Sequence, residues 1–345
     1  MRKKIVLVIV IAILAVIGVC SWLLFSSATV FSVKSKYLYV RNTSTAKEEI
    51  LKQIDANRII GKSRVALFRI VANTMDVWKN VQEGRFEIKK GQTVLDIVKM
   101  LRSNKQSPVT FTISHLRTAE DLGKILGKYF ITDSAHTMIF LNNNDSLKPF
   151  NADTSTLLTL IIPGNYSIKW NTNVSGILQQ FQDTTKAFWN KERLNKADSL
   201  KLTPAQVYIL ASIVEEETNK ASDKGKIASV YKNRLDSGMA LDADPTVKFA
   251  LRNFELKRIS FEQLKTQSPY NTYTNKGLPP GPICTPSTAS IDSTLNMPKT
   301  NYLFFTAKPD FSGYSNFAAT YEEHLQNAKA WREALDERAK QVGAP

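Results

Sequence analysis

The sequence predicts an α+β protein: one N-terminal transmembrane helix, a small α+β module, then a larger mixed α/β domain. Three observations lead there. An unbroken apolar run opens the chain, strand-like and helix-like periods alternate over residues 34–130, and capped, strongly periodic helices follow beyond residue 170. At 345 residues the chain suits about two folded units and can bury a core without covalent staples. A hydrophobic content of 43% and a charged content of 22% exclude a largely disordered or collagen-like chain. Two cysteines cannot make a disulfide scaffold, and the scattered His115, His136 and His324 have no metal-site spacing, so neither metal nor organic cofactor is expected. The net charge of +15 predicts a polyanionic neighbour.

The N-terminus narrows that neighbour. Ile5 to Phe25 is a run of 21 residues, apolar apart from Ser21 and the small Gly18, against about 20 needed to cross a hydrocarbon core as a helix. Arg2, Lys3 and Lys4 precede it, which places residues 1–4 in the cytoplasm and the remaining chain outside. Ser26-Ser27-Ala28 offers a small-x-small cleavage site, but the apolar core exceeds the ~7–15 residues of a signal peptide, so an uncleaved anchor is expected. A lipoprotein reading through Cys20 is disfavoured because Val19 precedes it. Cys284 then has only the membrane-embedded Cys20 as a partner, and is expected to be a buried small residue rather than a nucleophile. An exported domain points to an anionic bilayer or cell-wall polymer rather than nucleic acid, for which the sequence holds no recognisable motif.

Tyr37 to Val40 reads as a strand, Thr45 to Ile54 as a helix, and Glu83 to Ile88 as an alternating strand. Thr93 is an N-cap for a helix with Val94, Ile97, Val98 and Leu101 on one face, Pro108 to Ile113 is a strand, and Thr118 opens a helix through Leu126. Asn142 to Asp153 is polar and turn-rich, as a domain boundary would be. A loop with a short strand is expected over residues 155–175, and one helix from Val174 to about Leu200.

Thr203 to Thr218 is the most informative segment. Thr203 and Gln206 make a capping box and Pro204 suits the first helical position. Val207, Leu210, Ala211, Val214 and Thr218 form the buried stripe of this helix, and on the helical wheel Glu217 falls at the stripe's edge while Glu215 and Glu216 lie further round. Glu217 is therefore the carboxyl pressed against apolar side chains, where desolvation raises its pKa. A carboxylic acid that keeps its proton near neutrality can protonate a glycosidic oxygen. A solvated glutamate run closing a surface helix fits the same pattern. A second helix over residues 223–237 carries Ile227, Val230, Tyr231 and Leu235 on its apolar face, with Gly238 as C-cap and Asn233 and Arg234 near its end. The Asp244-Pro245-Thr246 turn precedes a further helix, and Asp244 is either a second catalytic carboxylate or a cap. Ser268 to Ile283 is a proline-stiffened loop with Tyr270, Asn271 and Tyr273, side chains suited to sugars or to covering a core.

Together these segments resemble the endolytic murein transglycosylases, the MltG or YceG-like family. The matching residues are Ala211 to Thr218, Val230 to Leu235, Asp244 to Val247, Tyr270 to Tyr273 and Gly277 to Ile283, with Tyr302 to Phe305, Asn316-Phe317 and Glu323-His324 downstream. The resemblance covers about residues 83–332 and is strongest from 205 onward. It departs at Leu158 to Tyr166, where a Glu-Gly-aromatic stretch and a Pro-Asp-Thr-Tyr turn are common in the family and this chain has neither that Glu nor the Asp-Thr pair.

The resemblance implies a single-pass protein of the bacterial inner membrane that cuts peptidoglycan glycan strands internally, between N-acetylmuramic acid and N-acetylglucosamine. It divides the chain into a cytoplasmic tail (1–4), an anchor (5–25), a LysM-like α+β module (34–107) that helps hold glycan, and a catalytic domain (108–345). The family's catalytic Glu precedes a Thr, as Glu217 does here. Asn233, Arg234, Asp244, Thr246, Tyr270, Asn271 and Tyr273 are the expected substrate-binding residues, and penicillin-binding synthases are expected partners. Two other readings stand beside this one: a hydrolase pairing Glu217 with Asp244, and a non-catalytic glycan-binding scaffold.

Overall fold

A computed structural model describes the backbone of residues 2–341 and, within that range, the side chains other than those of 2–4, 20 and 341. The basic side chains that set membrane orientation, and Cys20, therefore lie outside the described residues.

The first compact unit comprises residues 1–111, 129–132 and 166–173. It opens with helix α1 (Arg2–Phe25), continues with β1 (Ser35–Val40), α2 (Ala46–Ala56), α3 (Lys62–Thr74), α4 (Val77–Asn80), β2 (Gly84–Lys89) and α5 (Val94–Arg102), and reaches β3 (Val109–Ile113). Strands β1 and β2 pair antiparallel, with Ser35 opposite Lys89 and Val40 opposite Gly84. Their inward residues, Leu38, Val40, Phe86 and Ile88, pack on Ile50 and Ile54 of α2, Phe68 of α3 and Ile97 and Leu101 of α5. Thr93 caps α5 through a full capping box with Asp96, so that start signal was legible. Helix α3 was not, because its apolar residues make a weak stripe and its N-cap, Gly61, has no side chain to signal a start.

The second unit comprises residues 112–128, 133–165 and 174–345. It holds α6 (Ala119–Tyr129), α7 (Ser134–Leu141), α8 (Asn144–Leu147), α9 (Val174–Phe188), α10 (Lys191–Ser199), α11 (Pro204–Glu217), α12 (Ala221–Asp236), α13 (Asp244–Ala250), α14 (Thr288–Leu295), β5 (Phe304–Ala307), β6 (Ser315–Ala318) and α15 (Tyr321–Gln341). Strand β4 (Gly164–Ile168) pairs with β3, and residues 166–168 of β4, like 109–111 of β3, belong to the first unit. Helix α11 is its axis. The eight residues Val207 to Val214 are all buried, whereas a single stripe was expected, because neighbours cover the helix on every side. The capping box of Thr203 and Gln206 is present.

Two expectations change. The 142–153 segment is no boundary: α8 and a short helical turn fill it, inside the second unit. The helix over 174–200 is two helices, broken because the Asn190 side chain turns back to accept from the Arg193 amide at 3.0 Å and starts α10.

Candidate active site

Three consecutive glutamates end α11, and each meets a different partner. Glu215 accepts from Lys224 Nζ at 2.9 Å, from Ser287 Oγ at 2.7 Å and from the Ser290 hydroxyl. Burial alone would raise its pKa, but those three donors outweigh burial and hold it below the ordinary carboxylate range. Glu216 receives the Arg117 guanidinium in a two-point grip, both contacts at 3.1 Å, and His115 Nε2 at 2.8 Å. Burial again opposes, yet the hydrogen bonds from His115 and Arg117 and the charge of Arg117 hold this carboxyl at about 2.

Glu217 differs from both. Its Oε1 accepts from the Tyr231 hydroxyl at 2.5 Å, and no cation pairs with it among the described residues. Burial pushes its pKa up to about 7; the Tyr231 bond works against that rise, and the negative charge of Asp244 adds to it. The wheel argument singled out the carboxyl whose pKa is raised, but for an incomplete reason. Glu215 and Glu216 are not solvated; they are half-buried and neutralised by donors from segments distant in sequence. Glu217 is half-buried like them, and what sets it apart is that its hydrogen-bond donor is the neutral Tyr231 phenol, too weak to offset desolvation.

Tyr231 is the residue the sequence reading passed over, assigning it to an apolar face. It is 1% exposed, its ring meets Phe305 edge-on at 5.9 Å, and its hydroxyl reaches Glu217 across the α11–α12 packing. The signal available was a tyrosine on a wholly buried face, where its hydroxyl needs a partner.

Asp244 begins α13 without capping it; the N-cap is Ala243. The Tyr273 hydroxyl donates to Asp244 Oδ1 at 2.6 Å, and burial together with that bond pushes the Tyr273 phenol well above its usual range. A buried hydroxyl pair builds this contact. Thr272 Oγ1 lies 2.9 Å from Thr246 Oγ1 and accepts from the Ala243 amide at 3.0 Å, which stitches the tyrosine loop to the start of α13.

Four of the expected sugar-binding residues make hydrogen bonds within the chain. Asn271 and Thr246 are each 0% exposed. Asn271 donates to the carbonyls of Leu264 and Thr266, both at 2.8 Å. Thr246 donates to the Ala243 carbonyl at 2.7 Å. Asn233 donates to the carbonyls of Thr300 and Tyr302 at 3.0 and 2.9 Å, and Arg234 to those of Leu303 and Leu241 at 2.7 and 2.8 Å. Polar residues at motif positions are here consumed by loop carbonyls that would otherwise be buried unpaired. The Tyr270 ring meets Phe249 at a tilt, with centroids 4.6 Å apart, and burial raises its phenol to about 12. It lines a cavity of about 280 Å³ with Arg117, Ser155, Leu158 and Arg252, so the segment that departs from the family pattern borders the tyrosine loop.

The Pro/Gly-rich loop reaches α11 by short tethers. The Ile283 amide donates to Ser212 Oγ at 3.1 Å, and the Leu116 and Thr285 backbones bond each other through the Thr285 hydroxyl and amide at 2.9 and 2.7 Å. These tethers bring His115 and Arg117 to Glu216. Cys284 is fully buried, as expected, and burial raises its thiol pKa far above the usual range. Its Sγ and the nearest donor atoms of His115 and Glu216 lie within 4.8 Å of one another, a grouping the sequence did not suggest. With the Arg117 guanidinium on both Glu216 oxygens, this trio reads as an ion-pair cluster rather than a metal centre.

Comparison with known proteins follows the same residues. The YceG-like family model matches residues 38–330. An endolytic murein transglycosylase of Bacillus subtilis is 36% identical over 151 residues, which is 44% of this chain and 40% of that protein. One from Streptococcus pneumoniae strain D39 is 32% identical over 174 residues, 48% of this chain and 31% of that protein. The chain thus aligns with less than half the length of either relative. A crystal structure of a yceG-like protein from Listeria monocytogenes superposes with a TM-score of 0.55 at 24% identity, over 86% of this chain and 99% of that one, a likeness of fold.

Proposed function

The chain belongs to the YceG-like family, and from that premise we propose that it is an endolytic lytic transglycosylase of peptidoglycan with Glu217 as its general acid and base. The observation that carries the reading is a half-buried carboxyl at the end of α11, in no ion pair among the described residues, whose pKa desolvation raises to about 7. Such a group holds both protonation states near neutral pH and can therefore give a proton and take one back. The two relatives named for this activity support the reading.

In the proposed reaction, protonated Glu217 gives its proton to the leaving 4-oxygen as the bond to muramic C1 breaks through an oxocarbenium-like state. The resulting carboxylate then takes the proton of the sugar's own 6-hydroxyl, whose oxygen attacks C1 and closes a 1,6-anhydro ring. No water is consumed, so no second carboxylate is needed, in contrast to the two-carboxylate scheme of hydrolytic glycosidases. Tyr231 holds Oε1 by its hydrogen bond, which leaves Oε2 to carry the proton. Asp244, Tyr270 and Tyr273 shape the cleft, while Asn233, Arg234, Thr246 and Asn271 act by positioning the loops.

The same reading takes residues 1–4 as a cytoplasmic tail, 5–25 as the membrane anchor, 34–107 as a LysM-like glycan-holding module and 108–345 as the catalytic part, working beside penicillin-binding synthases. Helix α1 supports the anchor: residues Ile5–Phe25 have a mean hydropathy of 3.1 and none of that span is buried. A cavity of about 850 Å³ lined by Gln92, Asp96, Lys99, Ser103 and Gln106 offers the module polar groups for a sugar.

One observation favours a second reading. The charge of Asp244 is close enough to raise the pKa of Glu217, as in a hydrolase with paired carboxylates. Digestion of purified peptidoglycan, with wild type and Glu217→Gln compared by mass spectrometry, separates them. Anhydro ends lost in the variant support the lytic route. Reducing ends with added water replace it by hydrolysis, and undigested strands with wild type leave a glycan-binding scaffold.

A further inference from the structure

The end of α1 is clasped by two segments of the first unit. On one side the Ala28 carbonyl accepts from the Gly61 amide at 3.0 Å, and the Val30 amide donates to the Ile59 carbonyl at 3.3 Å. On the other, the Ala28 amide donates to the Gln92 carbonyl at 2.8 Å, the Gly91 amide donates to Thr29 Oγ1 at 2.9 Å, and the Lys90 amide donates to the Lys34 carbonyl at 3.0 Å. The clasp fixes which side chains surround the exit. Lys34, Lys62, Lys89 and Lys90 are all exposed there, and none forms an ion pair within 4 Å among the described residues. Arg64 is set at the helix's last turn: its guanidinium lies 5.0 Å from the Trp22 ring centre and donates to Ser26 Oγ at 2.7 Å. Trp22, Phe25, Val30 and Val33 are exposed apolar side chains at the same level.

Depth follows from helix geometry. The 21 residues Ile5–Phe25 rise roughly 30 Å at 1.5 Å each, about the thickness of a hydrocarbon core. Phe25 then sits at its edge, Trp22 occupies the aromatic-belt position, and the lysines fall at headgroup depth. The nearest carboxylate on the α5 turn, Asp96, is already engaged by Thr93 in its capping box. The exit is therefore a basic collar around an apolar skirt.

We propose that this collar binds anionic phospholipid headgroups of the leaflet into which α1 emerges. The inference rests on reading α1 as a membrane anchor and adds a lipid preference that an anchor alone does not require. Clustered lysines at the surface of an anionic leaflet each gain attraction that decays over one Debye length, and the clasp holds them there without further ordering of the chain.

The test uses the full chain in lipid nanodiscs, of phosphatidylcholine alone or enriched in phosphatidylglycerol, with amine labelling read residue by residue by mass spectrometry. Labelling of Lys34, Lys62, Lys89 and Lys90 is expected to fall about threefold or more in the anionic discs, to recover at about 1 M salt, and to leave Lys191 and Lys276 unchanged. Equal labelling in both discs, or an equal fall at every lysine, overturns the proposal. A Lys34→Gln, Lys62→Gln, Lys89→Gln, Lys90→Gln variant is expected to lose the phosphatidylglycerol that co-purifies with wild type; retention of the same lipid ratio also overturns it. A chain that elutes free of lipid fails the anchor reading instead, whereas one embedded in the disc with unaltered lysines fails the collar alone.

Discussion

Replacing Tyr231 by Phe removes one hydroxyl and keeps the ring that packs edge-on against Phe305 at 5.9 Å. The hydroxyl is the donor to Glu217 Oε1, and its bond opposes the rise of the Glu217 pKa. A hydrogen bond to a charged group contributes about 1.5–3 kcal/mol, and one pKa unit corresponds to about 1.4 kcal/mol, so its loss raises the pKa by about one to two units. Glu217 then titrates above its wild-type value of about 7. The acid form must be present in free enzyme for the first proton transfer, so wild-type kcat/KM is expected to decline above about pH 7. The assay is the release of anhydro ends from isolated glycan strands across pH, with thermal unfolding measured alongside to show that the variant folds. The Tyr231→Phe limb moves one to two units alkaline, with a lower plateau because the carboxyl is no longer held in one orientation. A limb that stays at the wild-type pH would refute both the proton-donor role of Glu217 and the account of its pKa.

Asp244→Asn tests the same logic with the opposite sign. Removing a negative charge that raises the Glu217 pKa moves the alkaline limb of kcat/KM to lower pH with activity retained, while loss of activity at every pH identifies Asp244 as an essential partner. Glu217→Gln abolishes product and changes stability in a defined window. The carboxyl pKa rises from 4.5 to about 7 on folding, so the unfolded chain ionises first and wild type loses stability as pH climbs through that interval. The shift corresponds to an upper bound of roughly 3 kcal/mol. The variant should therefore unfold at higher denaturant than wild type at pH 8 and at the same denaturant at pH 4, and equal midpoints at pH 8 would count against the raised carboxyl. Gly281→Ala places a Cβ 1.9 Å from the Ser155 carbonyl oxygen. The backbone there cannot yield as a flexible side chain would, so a destabilisation of about 1–3 kcal/mol is expected, read as a lower unfolding midpoint together with weakened activity.

Local chemistry carried much of this protein in its sequence. The 21-residue apolar run, the capping boxes at Thr93 and Thr203, the strand alternation of β2 and the stop at Gly238, which follows the Ser237 C-cap with a φ of +66°, each depend on residues a few positions apart. The same locality marked Glu217, since a helical wheel needs only periodicity. It failed at α3, whose stripe is weak, and at Trp189–Asn190, where a single capping side chain split an expected helix.

Tertiary structure decided which of three adjacent carboxyls keeps its proton. Lys224, Arg117 and His115 reach Glu215 and Glu216 from other segments, with Arg117 99 residues from Glu216, and no periodicity reports such an approach. It likewise turned Asn233, Arg234, Thr246 and Asn271 inward, because the carbonyls of the loops they hold need donors once buried. The sequence by itself determined that three glutamates would end a capped helix with one of them at the edge of its apolar stripe. Only the folded chain determined that two of its three glutamates meet cations and the third meets a tyrosine, because desolvation and charge depend on distance in space and not on distance along the chain.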